Sequence, residues 1–151
     1  NVSWQTSNTI VYTEVHASGN NGYNYSSGAS FDRLHIIKAD NVVTLYGSSY
    51  GWNDVGQKWV APFAGKFRVT TNVYFNSVAA YQNPRLYAFL NNTTICNITS
   101  ASNNGNDIAT STSAIIQMNQ GEYINWKISG SGARIYCGEY HTFVRIESVG
   151  Q

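Results

Sequence analysis

Three short stretches set reactive residue types at spacings that chemistry can use. "GSSYG" (Gly47–Gly51) matches the G-x-S-x-G pattern of a nucleophilic serine turn, with Ser49 in the serine position. Such a serine needs a strand before it, a helix after it, and a histidine and an acid within reach. "WNDVGQKWVAP" follows instead, with no helical period and a proline close behind, so a Gly/Ser-rich surface loop is the better reading. "SGSGAR" (Ser129–Arg134) has the glycines of a phosphate cradle, but it leads into the strand-like "RIYC". A cradle of that kind draws its field from a helix N-terminus, which a strand does not supply. Cys137 and His141 stand four apart, half of a zinc-site spacing, and only Cys96 offers a third ligand. A Cys96–Cys137 disulfide, or two separate thiols, accounts for the cysteines more simply. The disulfide would close a long loop and stabilise by roughly 3–4 kcal/mol on the chain-entropy model.

The eight carboxylates are scattered over loops and strand ends. They suggest no acid–base pair, and Asp32, Asp40, Asp54 and Asp107 form no calcium-loop motif. The sequence therefore predicts a protein that is not an enzyme and that uses no metal and no cofactor.

The 151 residues suit one domain, 1–151, with one sizeable core. Charged residues make up only 11 %, aromatic residues 14 %, and the formal net charge is +1. With no basic stripe to displace counterions from phosphates, nucleic acid is not an expected partner. No apolar run approaches the roughly 20 residues that span a bilayer, so no membrane insertion is expected. The polar surface must be built from Asn, Ser, Thr, Gly and Tyr, a composition suited to a β protein outside the cell or on a virion surface. The chain opens "NVSWQ" without Met and reads as a processed product or an excised piece. Asn-x-Ser/Thr triplets at Asn1, Asn24, Asn91, Asn92 and Asn97 carry little weight in so Asn- and Thr-rich a chain.

Lys66–Phe75 alternates strictly, with Phe67, Val69, Val73 and Phe75 on one face, as a half-buried strand does. Arg85–Leu90 is apolar almost throughout and suits a strand covered on both faces. Thr110–Met118, Glu122–Ile128 and His141–Val149 read as further strands. "NNGY", "NNGN", "NQGE" and "SGSGA" supply the turns. Phe31–Asp40 spaces Phe31, Leu34 and Ile37 as a helix would, but its Ile36–Ile37 pair and missing cap favour a strand. Many short strands between Gly/Asn turns mean an all-β sandwich or barrel.

"KWVAPFAGKFRV" places Trp59, Ala61, Pro62, Gly65 and Phe67 in the order of the signature of the C1q globular-head family, a branch of the tumour-necrosis-factor-like (TNF-like) jelly rolls. "FDRLHI", "YGWNDVGQKW", "LYAFLNN", "TSTSAIIQMNQGEYINWKI" and "HTFVRIESVG" resemble that family's other motifs in the same order, over Phe31 to Gly150. Val144-Arg145 departs from the usual Ser-Gly, and "ASGNNGYNYSSGAS" is longer than the family pattern. The resemblance is therefore to a distant member, viral or bacterial in character. It implies an all-β, ten-stranded, two-sheet antiparallel jelly-roll sandwich that assembles as a homotrimer at the end of a fibrous or collagen-like stalk. Trimerisation needs a second apolar face, for which Tyr74, Ile115 and Met118 are the candidates; the alternative for each is that it fills the monomer core.

Three segments expected to be loops are aromatic as well as polar. One carries Tyr50, Trp52, Asn53 and Asp54, another Tyr23 and Tyr25, and the third Arg134, Tyr136, Glu139, Tyr140 and His141. Rings beside amides and carboxylates suit a sugar face or a protein epitope. The opposing expectation is that Trp52 and Tyr136 pack under their own loops or at the trimer seam. The predicted function is a recognition head that binds a cell-surface glycan or protein, as at the tip of a virion fibre. The alternatives are a structural trimerisation cap and a secreted C1q-like ligand.

Overall fold

The computed structural model describes residues 11–17, 23–25, 34–35, 51–53, 55–75, 84–101, 107–129, 133–136 and 141–149, with backbone alone at 23–25, 34–35 and 133. They form twelve strands: β1 Tyr12–Ala17, β2 Tyr23–Tyr25, β3 Leu34–His35, β4 Trp52–Asn53, β5 Lys58–Val60, β6 Gly65–Phe75, β7 Arg85–Leu90, β8 Thr94–Ser100, β9 Ile108–Met118, β10 Tyr123–Ser129, β11 Ala133–Ile135 and β12 Phe143–Ser148. A seven-stranded sheet runs β2-β11-β6-β12-β1-β3, with β9 on the other side of β6, and a five-stranded sheet runs β4-β5-β10-β7-β8. Every pairing is antiparallel. Twelve strands stand among the described residues where ten were expected, and the two- and three-residue strands β2, β3 and β4 lie at sheet edges. Within Phe31–Asp40, Leu34–His35 are strand, and the rest of that window lies outside the described residues.

The alternation read from Lys66–Phe75 is the alternation observed. Along β6 each odd-numbered residue from Gly65 to Phe75 faces inward and is buried. Two tryptophans tie the layers together. Trp59 on β5 donates its indole N–H to Thr13 Oγ1 at 3.2 Å, and Trp126 on β10 donates to Thr71 Oγ1 at 3.4 Å. Both threonines are buried, so each indole finds a partner inside the apolar layer, and the pairs fix how one sheet sits on the other.

The Pro62–Gly65 segment is the corner at which the chain leaves the five-stranded sheet and begins β6, one of the two eleven-residue strands of the other. Ala61 still pairs with Glu122 and Gly121 through its backbone N–H and C=O, at 2.8 and 2.9 Å. Pro62 then stands where no ladder requires its missing N–H. Gly65 is buried without a side chain, and Phe63 folds over its position, because a Cβ there would come within 3.3 Å of the Phe63 ring. That ring packs on Phe67 with centroids 5.3 Å apart.

Three expectations change. Met118 is 0 % exposed and belongs to the core, not to an assembly face. Ile115 and Met118 are an odd number apart on one strand, so pleating sends them to opposite faces. Arg85–Leu90 is covered on one side only: Leu86 and Ala88 are buried while Tyr87 and Phe89 remain partly exposed. Cys96 carries a free thiol, half-buried, that donates to the Ala88 carbonyl at 3.4 Å, and Cys137 lies outside the described residues. Burial pushes that thiol up to about 11 against a backbone hydrogen bond that lowers it. Strands β1 and β8 have no counterpart in the sequence reading.

Candidate functional site

The outer face of the seven-stranded sheet is set by register. Even-numbered residues of β6 point outward, and the register pairs Arg68 with Ile115, Thr70 with Ser113 and Tyr74 with Ala109. Phe143, Arg145 and Glu147 of β12 continue the same face opposite Asn72, Thr70 and Arg68. At one end lies an aromatic cluster. Tyr74 meets Tyr136 edge-on with centroids 4.9 Å apart and His141 at 5.2 Å, while Tyr136 and His141 are 5.6 Å apart.

Backbone ties hold this cluster. The buried Thr142 hydroxyl accepts from the Tyr74 N–H at 3.1 Å and donates to the Tyr136 carbonyl at 2.7 Å. The Tyr136 N–H donates to the Tyr74 carbonyl at 2.9 Å, and Asn72 Nδ2 donates to the His141 carbonyl at 2.6 Å. The rings are thus placed by groups whose hydrogen bonds are already made, so a partner would meet a preorganised surface. Neither Thr142 nor Asn72 stands out in the sequence, because their role depends on which carbonyl the fold brings beside them.

The middle of this face is polar. Arg68 Nη1 lies 3.2 Å from Glu147 Oε1, and the hydroxyls of Thr70 and Ser113 share a hydrogen bond at 2.6 Å. Glu14 gathers its neighbours: His16 Nε2 donates to it at 3.0 Å, the Tyr12 hydroxyl at 3.3 Å, and Arg145 Nη2 stands 3.6 Å away. Partial burial by itself would raise the Glu14 pKa, but the hydrogen bond from His16 and the Arg145 charge outweigh it and hold the carboxyl below 4.5. Ile115 is the apolar exception, 58 % exposed. Tyr74, expected beside it in an assembly face, stands six residues along the neighbouring strand from Arg68, the partner of Ile115. That separates them by roughly 20 Å.

Of the three expected loops, the structure brings two together, as strands. Tyr23–Tyr25 pair with Ala133–Ile135, with Arg134 opposite Asn24, Tyr23 opposite Ile135 and Tyr25 opposite Ala133. Arg134 is exposed, and Tyr136 half-buried in the cluster. Trp52 does not join them. It pairs with Trp59, is half-buried against the core, and packs 6.2 Å from Trp126, so it is a structural ring between the sheets. Asn53 is exposed, and its Oδ1 accepts from the Gly56 N–H at 2.9 Å within the turn. Tyr50, Asp54, Glu139 and Tyr140 lie outside the described residues, as does Ser49. The residues after Gly51 are a strand, not the helix a nucleophilic serine turn requires. Gly51 itself has φ +86°, and a Cβ there would meet the Val60 carbonyl oxygen at 2.6 Å. "GAR" likewise runs into β11. Among the described residues no group of three or more His, Cys, Asp or Glu side chains is placed to hold a metal ion.

No protein-family model and no curated protein matches the chain. Solved structures do. The chain is similar to Eiger TNF from S. frugiperda at 9 % identity and a TM-score of 0.72, covering 95 % of this chain and 94 % of that one. It is similar to murine APRIL at pH 5.0 at 12 % identity and a TM-score of 0.63, and to murine APRIL at pH 8.5 at 11 % and 0.58. Each APRIL match covers 92 % of this chain and 100 % of the other. These likenesses establish the fold: a TNF-like jelly roll, as the Pro62–Gly65 signature implies.

Proposed function

We propose that this domain is a non-enzymatic, homotrimeric recognition head that works outside the cell and binds a cell-surface glycan or protein. The observation that carries the reading is the outer face of the seven-stranded sheet. It presents exposed Ile115 amid its polar part and the tied Tyr74–Tyr136–His141 cluster at one end. Ile115 serves assembly: a large aliphatic side chain on a strand of small residues (Ala109, Ser111, Ser113) lets a second copy approach closely. The aromatic end, beside exposed Arg134, serves the receptor, since rings edged by a cation and amides take either a sugar face or a protein epitope. The domain sits at the end of a fibre or stalk, with a virion tip as the preferred setting for so charge-poor a surface. Many identical heads on one particle turn weak single contacts into firm attachment.

Fold alone does not confer this role, so the test addresses the site. Light scattering at micromolar concentration is expected to give three times the chain mass. The trimer is expected to bind receptor-bearing cells or a glycan array, with loss of signal in Tyr136→Ala/Arg134→Ala at unchanged mass. A strict monomer, or binding indifferent to that double substitution, refutes the proposal. A trimer silent on cells and arrays alike is a structural cap.

A further inference from the structure

The five-stranded sheet has an outer face that the proposed trimer does not use. Register puts Lys58, Val60, Tyr123, Asn125, Lys127, Arg85, Tyr87 and Phe89 on it. Strand β8 adds Ile98 opposite Tyr87 and Ile95 opposite Phe89, 45 % and 48 % exposed. Three residues apart, these isoleucines would fall on opposite faces of a regular strand. They share one because the register shifts between Ala88 and Phe89: Asn97 faces Ala88, Ile95 faces Phe89, and Cys96 is the extra residue of a bulge. The apolar run of β7, which in a globular core implies cover on both sides, is uncovered here.

Among the described strand residues of this sheet, charge is of one sign. The five strands contain Lys58, Arg85 and Lys127 and no Asp or Glu. Each cation is tied to an aromatic side chain. Lys58 Nζ is 4.4 Å from the Tyr123 centroid, Lys127 Nζ is 5.0 Å from that of Phe89, and Arg85 Nη1 donates to the Tyr87 hydroxyl at 3.2 Å. Cations already ordered against aromatic side chains lose little freedom when a carboxylate arrives.

We propose that this face docks a second protein, through a segment that carries carboxylates around an aliphatic or aromatic anchor. The isoleucines favour protein over glycan, because a sugar stacks on a ring but gains little from an aliphatic branch. The anchor covers Ile95, Ile98, Tyr87 and Phe89, and the carboxylates meet Lys127, Lys58 and Arg85 at the rim. Five strands at about 4.8 Å spacing give a footprint of roughly 400 Å², half the usual share of one partner, so a single contact is weak.

The test follows backbone amide shifts of the ¹⁵N-labelled protein with three probes: a peptide alternating Glu with Leu, its counterpart with Lys for Glu, and 3′-sialyllactose. The Glu–Leu peptide is expected to shift the amides of Tyr87, Phe89, Ile95, Ile98 and Lys127. It should bind at least about tenfold more tightly than the Lys–Leu peptide, and lose about tenfold in Lys58→Glu/Lys127→Glu. Those positions point outward, and an unchanged amide spectrum elsewhere confirms the fold. Ile98→Ser, which keeps all charges, should weaken binding as well. Equal binding of both peptides, shifts confined to another face, response to the sugar alone, or no shift at millimolar peptide each overturns the proposal. So does self-association that Ile98→Ser abolishes, since the occupant is then a second copy.

Discussion

Replacing Ile115 by Glu tests assembly with little disturbance of the monomer. In the isolated chain Ile115 is 58 % exposed, and its cross-strand partner is Arg68. A glutamate there meets a cation, and the change in monomer stability should stay within about 0.5 kcal/mol. Within a trimer the arithmetic differs. Full burial of an isoleucine side chain stabilises by about 1.5–3 kcal/mol, so covering the remaining 58 % contributes about 1–1.7 kcal/mol per copy. Three copies give about 3–5 kcal/mol per trimer, equivalent to a factor of roughly 10²–10⁴ in the association constant. Desolvating three like charges adds to the loss. Sedimentation equilibrium across a hundredfold concentration range is expected to show the wild type trimeric where Ile115→Glu is monomeric, with matching far-UV circular dichroism. If the variant assembles with an unchanged constant, Ile115 is not at the interface and the assembly argument fails.

Three further outcomes are expected. Because Glu14 ionises more readily folded than unfolded, its stabilisation is complete above about pH 4.5 and disappears as pH falls through the lower folded value. Urea melts should therefore show wild type ahead of Glu14→Gln by about 1 kcal/mol near pH 7, with the gap closing as pH falls through the lowered folded value. Gly51→Ala combines a left-handed backbone with a Cβ 2.6 Å from the Val60 carbonyl oxygen and should destabilise by about 2 kcal/mol or more; an unchanged melting temperature would contradict the geometry of that turn. With its pKa raised to about 11, Cys96 should resist iodoacetamide at pH 8 in the folded protein and react once unfolded, as read by site-resolved mass spectrometry.

The long strands were legible because their information is local. In β6, β9, β10 and β12 each residue's neighbours two places away declare its face, and a Pro–Gly corner declares where one sheet hands the chain to the other. Strand β1 was missed because it carries buried His16 and Thr13 among its apolar residues, and β8 because a bulge breaks its period. For the candidate site the sequence offered a set of residue types and no arrangement. Arg134 is exposed and Tyr136 half-buried in its cluster, whereas Trp52, the same kind of aromatic signal, is turned inward by its pairing with Trp59.

Residue order by itself thus determined the fold class, the corner that joins the two sheets, and the absence of a basic stripe. Only the tertiary structure decided which apolar residues are left over. Met118 is core and Ile115 surface through parity against β6, Ile95 and Ile98 share a face through one extra residue, and Tyr74, Tyr136 and His141 meet because Thr142 bridges two strands. Register and bulges are properties of pairs of strands, and a pair distant in sequence leaves no local trace in either member.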